Sequence, residues 1–276
     1  MDEWYSISGF HDPMSSLSHL VGTVIFFVFS IFLLASAWHS RLKFWLAFEF
    51  AFATLLMLSM SFVYHMMAVG SISREVMLRL DVAAIFIMIA STFTVIHGIL
   101  FVGWRRWAII SLLWTITITG VTLRTIFFHS IPGFVGDGIF LLMGWIGAFS
   151  AYLLWKEFRW RAVRPIVIGG LFYTVGAIMN ATDWPVFIPN VWGPHETFHF
   201  MVLGGVGAHW ALVWSICDGS FQRGVARAQP NGRFGGNREL GDRQNNLELG
   251  DQQAEKLVDK QNSQVDDASV QQAKVS

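Results

Sequence analysis

The chain has a single cysteine, Cys217, which excludes an internal disulfide framework. The thiol closes the last hydrophobic run, where packing is its expected part. Charge is also scarce. Asp, Glu, Lys and Arg make up 14% of the residues, against 54% hydrophobic ones; an average soluble domain carries about 25% charge. The 19 basic residues are balanced by 19 acidic ones, and no Lys/Arg cluster points to nucleic acid, so no such partner is expected. A positive flank is missing before the first apolar run, which follows Asp2, Glu3 and Asp12. That run is also too long for a signal-peptide core, so it is read as a span. Finally, no aromatic residue follows Phe234.

What is present in abundance is long apolar sequence. About 20 consecutive apolar residues cross a bilayer as a helix. Runs of that kind lie near 18–37, 44–67, 80–102, 107–128, 135–155, 165–180 and 194–217. The fold class expected is an all-α membrane protein, a seven-transmembrane-helix bundle occupying 1–217. Trp38, Trp45, Trp104, Trp107, Trp155, Trp160, Trp184 and Trp192 fall near the proposed ends, where indole rings favour the membrane interface. Beyond 217 the composition turns to Gln, Asn, Asp, Gly and Arg, and "ELGDRQ" at Glu239 recurs as "ELGDQQ" at Glu248. Residues 218–276 are expected to be a disordered polar tail, with too little apolar surface to offset chain entropy.

Alternating spans bring distant residues to one depth. Let side A hold the N-terminus. The second span ends on side A in "SFVYH", with Ser61 and His65; the third begins there, with Asp81; the seventh begins there with "HETFH", His195 to His199. His195 and His199 stand at i and i+4 on one helix face, as do Ser61 and His65. Zinc held by two such imidazoles takes a third protein ligand, for which His65 is placed, and keeps one open position. Asp81 can hydrogen-bond a water there or accept its proton, with Ser61 beside it. His19 opens the first span on side A and is a candidate for the shell behind the ligands. Glu196 is either a general base, as in H-E-x-x-H proteases, or a first-turn acid favoured by the helix dipole. His97 and His209 lie deeper and are expected to hydrogen-bond between helices.

These motifs resemble the progestin and adipoQ receptors and the bacterial hemolysin III proteins. "SSLSHLVG" at Ser15 is similar to the family's opening helix, "SFVYH" to its S-x-x-x-H, "LDVAAIFIMIASTFT" to the third helix, "GGLFYTVGAIM" to the sixth and "HETFHFMVLGGVGAH" to the seventh. The resemblance implies zinc held by His65, His195 and His199, with Asp81 and Ser61 at the reacting water. It also implies hydrolysis of a lipid amide such as ceramide, as in the architecturally related alkaline ceramidases. Asp12 and Ser15 stand where the family often has Glu and Asn, and neither is assigned a role.

Three function classes stay open: a zinc-dependent hydrolase acting on a lipid amide or ester, a receptor or sensor with structural zinc, and a membrane-perturbing hemolysin-like protein. An intramembrane metalloprotease using HETFH is disfavoured, because no later span supplies a third ligand. Membrane lipids are the expected partners, in a plasma or bacterial inner membrane. Side B carries Arg41, Lys43, Arg105, Arg106, Lys156, Arg159, Arg161 and Arg164, against Arg74, Arg79 and Arg124 on side A. By the positive-inside rule side B and the C-terminus are cytoplasmic, whereas the resemblance implies the opposite orientation.

Overall fold

The structure is a computed structural model and describes residues 10–228, apart from 129, 132 and 190. Among these residues it is a helical bundle, with an isolated bridge between Ile188 and Trp192. Helices α1 (Pro13–Ala37), α2 (Arg41–Met66), α3 (Ile72–Leu100) and α4 (Trp104–Ile126) run up and down in succession. A long helical stretch, Gly133–Ala181, is broken at Arg159 (φ 68°, ψ −176°) and yields two spans, α5 (Gly138–Trp160) and α6 (Val163–Ala181). Helix α7 is Pro194–Cys217, and a short α8, Ser220–Ala228, follows. Seven of these helices, α1 to α7, are long and apolar enough to cross a membrane. The protein is an integral, multi-pass membrane protein.

Local chemistry sets the helix ends. Pro13 occupies the first turn of α1, where its missing N–H costs nothing. The Ser71 hydroxyl accepts the Arg74 N–H (3.2 Å) at the start of α3. Gly103 supplies the positive φ (63°) in the turn into α4.

The faces of α1 are inverted relative to a soluble helix. Ser15, Ser16, Ser18, His19, Gly22 and Ser30 are buried, while Val21, Val24 and Phe32 are more than half exposed. Lipid tails reward that arrangement: apolar side chains face outward, and small or polar ones mediate close helix contact. Helices α1 to α4 each pack on the next, the Gly133–Ala181 stretch packs mainly on α7, α7 returns against α1, and α3 is the most enclosed span.

The α6–α7 contact is a seam of small residues. A Cβ added to Gly169 would press into the His209 imidazole, 2.5 Å from Cδ2, and lie 3.1 Å from the Gly205 carbonyl. Gly169→Leu is therefore expected to cost about 1–3 kcal/mol through overpacking. An unchanged thermal midpoint in detergent would show that the seam has slack.

His97 bridges helices as expected, with Nδ1 3.0 Å from the Arg105 carbonyl and Nε2 2.8 Å from Ser150 Oγ. The bundle continues past the point where the sequence reading begins its disordered tail. Within α8, Phe221 and Val225 stand one turn apart and are buried, with Phe221 against Phe158. Two apolar residues at i, i+4 are enough to dock one short helix amid polar composition. The rest of the expected tail lies outside the described residues.

Candidate metal centre

Helices α2 and α7 meet on side A and bring three imidazoles together. His65 lies in the last turn of α2; His195 and His199 lie in the first two turns of α7. Their Nε2 atoms converge: His195 Nε2 is 3.3 Å from His65 Nε2 and 3.2 Å from His199 Nε2. All three candidate donor atoms lie within 4.8 Å of one another. Ligands about 2.0–2.1 Å from a tetrahedral zinc stand roughly 3.3 Å apart, so the spacing suits a shared cation. His65 and His199 are buried, and His195 is partly exposed.

The far side of each ring decides which nitrogen is free. His65 Nδ1 is 3.0 Å from Asp12 Oδ2, and His195 Nδ1 is 3.0 Å from Asn180 Oδ1. Both oxygens are acceptors, so each Nδ1 carries the hydrogen and each Nε2 presents a lone pair to the centre. The donor set is compatible with a metal ion such as zinc, in the spacing of all three rings and in the tautomer of His65 and His195. His199 has no side-chain acceptor at Nδ1; its ring interacts with the Ser15 backbone, and the buried His19 ring packs on it, with centroids 4.1 Å apart.

Asp12 is anchored in turn. Arg74 donates to Asp12 Oδ2 (2.6 Å) and to the Met67 carbonyl (2.6 Å), and lies over the Tyr64 ring. The Asp12 backbone N–H donates to the His65 carbonyl (3.0 Å). Burial pushes the Asp12 pKa up, but hydrogen bonds from His65 and Arg74, with the Arg74 charge, outweigh it and hold the carboxyl well below its usual range.

The other sequence candidates separate into two groups. Asp81 meets the Ser61 hydroxyl, one turn before His65 on α2; neither belongs to the three-nitrogen cluster. Glu196 caps α7, accepting the Gly193 N–H (2.9 Å) at Oε2 and the Ser15 hydroxyl (3.0 Å) at Oε1. Both its oxygens are engaged, which is the first-turn use. Asp12, Asn180 and Arg74 went unassigned in the sequence. Asp12 directly before a Pro-initiated helix, and Asn180 closing an apolar run on side A, were the available signals.

The sequence profile of the haemolysin-III-related family matches residues 9–210 of this chain. The chain belongs to that family. The match takes in every residue of the centre, from Asp12 to His199. Among its relatives, a protein named hemolysin-3 from Bacillus cereus is 27% identical over 128 residues, 46% of this chain and 54% of that protein. A hemolysin-3 homolog from Bacillus subtilis (strain 168) is 23% identical over 145 residues, 52% of this chain and 65% of that protein. The matched stretches thus span less than two thirds of either relative.

Proposed function

We propose that this haemolysin-III-family protein is a zinc-dependent hydrolase of a lipid amide or ester, ceramide being one such substrate. The observation that carries the reading is the convergence of three Nε2 atoms at one membrane depth, with acceptors fixed behind two of the rings. His65, His195 and His199 hold the metal. Bound zinc supplies a Lewis acid that makes water nucleophilic near neutral pH and polarises a carbonyl. Asp81 orients the attacking water, takes its proton at the carboxylate and returns it to the leaving group, with the Ser61 hydroxyl steadying that carboxylate. Substrate enters from the lipid, where the outer faces of the helices are apolar.

Glu196 is spent on the α7 cap and on Ser15, so a protease reading that needs it as base finds no support in its contacts. The test of the hydrolase is a product screen against lipid amides and esters with zinc-loaded protein. Loss of turnover on chelation and its return with zinc are expected. Full zinc with no product from any lipid class would leave the receptor reading, in which the metal is structural.

The orientation that goes with this reading has side B in the cytoplasm. Lys43, Arg105, Arg106, Lys156 and Arg164 stand at the side-B ends of spans, opposite the three histidines, and the positive-inside rule weighs such residues. A C-terminal fusion is expected to report only as a cytoplasmic reporter. Activity of a reporter that works only outside the cytoplasm would reverse the assignment and open the centre to the cell interior.

A further inference from the structure

We propose that Asp12 and Asn180 are positioning residues that set metal affinity by fixing the tautomer and tilt of His65 and His195. The inference rests on the metal-centre reading above and concerns two residues that themselves touch no metal.

A neutral imidazole has two tautomers, and only the one protonated at Nδ1 presents Nε2 as a ligand here. Nothing within either ring enforces that choice; the partner of the other nitrogen does. Asp12 Oδ2 stands 3.0 Å from His65 Nδ1, and Asn180 Oδ1 stands 3.0 Å from His195 Nδ1. Both oxygens can only accept, so both rings are locked in the ligating form.

The two locks differ in kind. Asp12 is an anion fixed by Arg74, which is itself tied to the Met67 carbonyl and the Tyr64 ring. The residue just ahead of α1, the end of α2 and the start of α3 thereby act on one imidazole. A carboxylate behind a ligating histidine also raises its basicity. Asn180 closes α6 and supplies a neutral acceptor to the first histidine of α7. Three helix ends other than those bearing the ligands are therefore coupled to the centre, and His199 is the ligand without a side-chain acceptor of this kind.

The experiment uses full-length protein in detergent and cobalt(II) as the probe. Visible absorption reports ligand geometry, and a competing chelator reports affinity. Asp12→Ala and Asn180→Ala are each expected to weaken cobalt binding about 10–100-fold. Asp12→Asn and Asn180→Asp keep an acceptor oxygen and are expected to recover most of that loss, with the wild-type absorption band. Asp12→Leu and Asn180→Leu fill the space without an acceptor and are expected to bind no better than the alanine variants; rescue by the acceptor variants and not by leucine separates tautomer control from packing. Asn180→Ala lies on a different helix from Asp12 and keeps the proposal testable if the Asp12 variants do not fold. Wild-type protein that takes up no cobalt would sink the metal centre itself. Wild-type uptake with equal affinity in both alanine variants, or acceptor variants no better than alanine, would overturn only the positioning role.

Discussion

Replacing His65, His195 or His199 by alanine, one at a time, is expected to cut bound zinc from roughly one equivalent to below about a tenth of that, since three protein ligands are the usual minimum for a catalytic zinc site. Each substitution leaves two imidazoles, and the reason for loss differs by position. Without His65 the remaining pair comes from α7 alone, one turn apart, with no second helix to close the site. Without His195 the central member goes, the one whose Nε2 is within 3.3 Å of both others. Without His199 the best-buried of the three ligands is removed. His97→Ala is the matched control: it removes a buried histidine near the side-B end of α3, breaks contacts to Ser150 and Arg105, and should lower stability with zinc retained. Elemental analysis of purified protein reads all four. Full zinc in all three triad variants would mean that the imidazole cluster is a hydrogen-bonded one and holds no metal.

The membrane bundle was legible because its signal is repeated over every span: about 20 apolar residues leave a helix as the only way to satisfy the backbone in lipid. The triad was legible for a topological reason. Alternating spans force the end of α2 and the start of α7 to one side, and i, i+4 spacing puts two imidazoles on one face. Asp12, Arg74 and Asn180 were not legible in this way. Each sits at a helix end or ahead of one, where a few residues of register decide what it meets, and hydropathy says nothing about register. The docking of α8 was hidden for a related reason, because two buried residues in a polar stretch leave no compositional mark. Glu196 was ambiguous because the same residue serves as base in one motif and as helix cap in another; only its partners, Gly193 N and Ser15 Oγ, separate the two.

Those partners make the choice of proton carrier testable. Asp81→Asn is expected to lower turnover of the lipid substrate by about 10²–10⁴-fold, the usual worth of a positioned acid–base group, while zinc stays close to the wild-type level. The amide keeps the shape of the carboxylate and its contact with Ser61 but cannot accept a proton at neutral pH. Glu196→Gln is expected to behave differently. Glutamine can accept the Gly193 N–H with its oxygen and donate from its amide to the Ser15 oxygen, the hydroxyl rotating to receive it. The cost is about 0.5–1.5 kcal/mol of stability, as charge-assisted hydrogen bonds become neutral ones, with turnover of the folded fraction within about threefold of wild type. Parallel measurement of zinc content, thermal midpoint and turnover separates the two variants. The reverse pattern, an active Asp81→Asn and an inactive, zinc-loaded Glu196→Gln, would refute the assignment. The proton would then pass to the cap residue, and the centre would have to be read as an H-E-x-x-H hydrolase whose third ligand comes from an earlier helix.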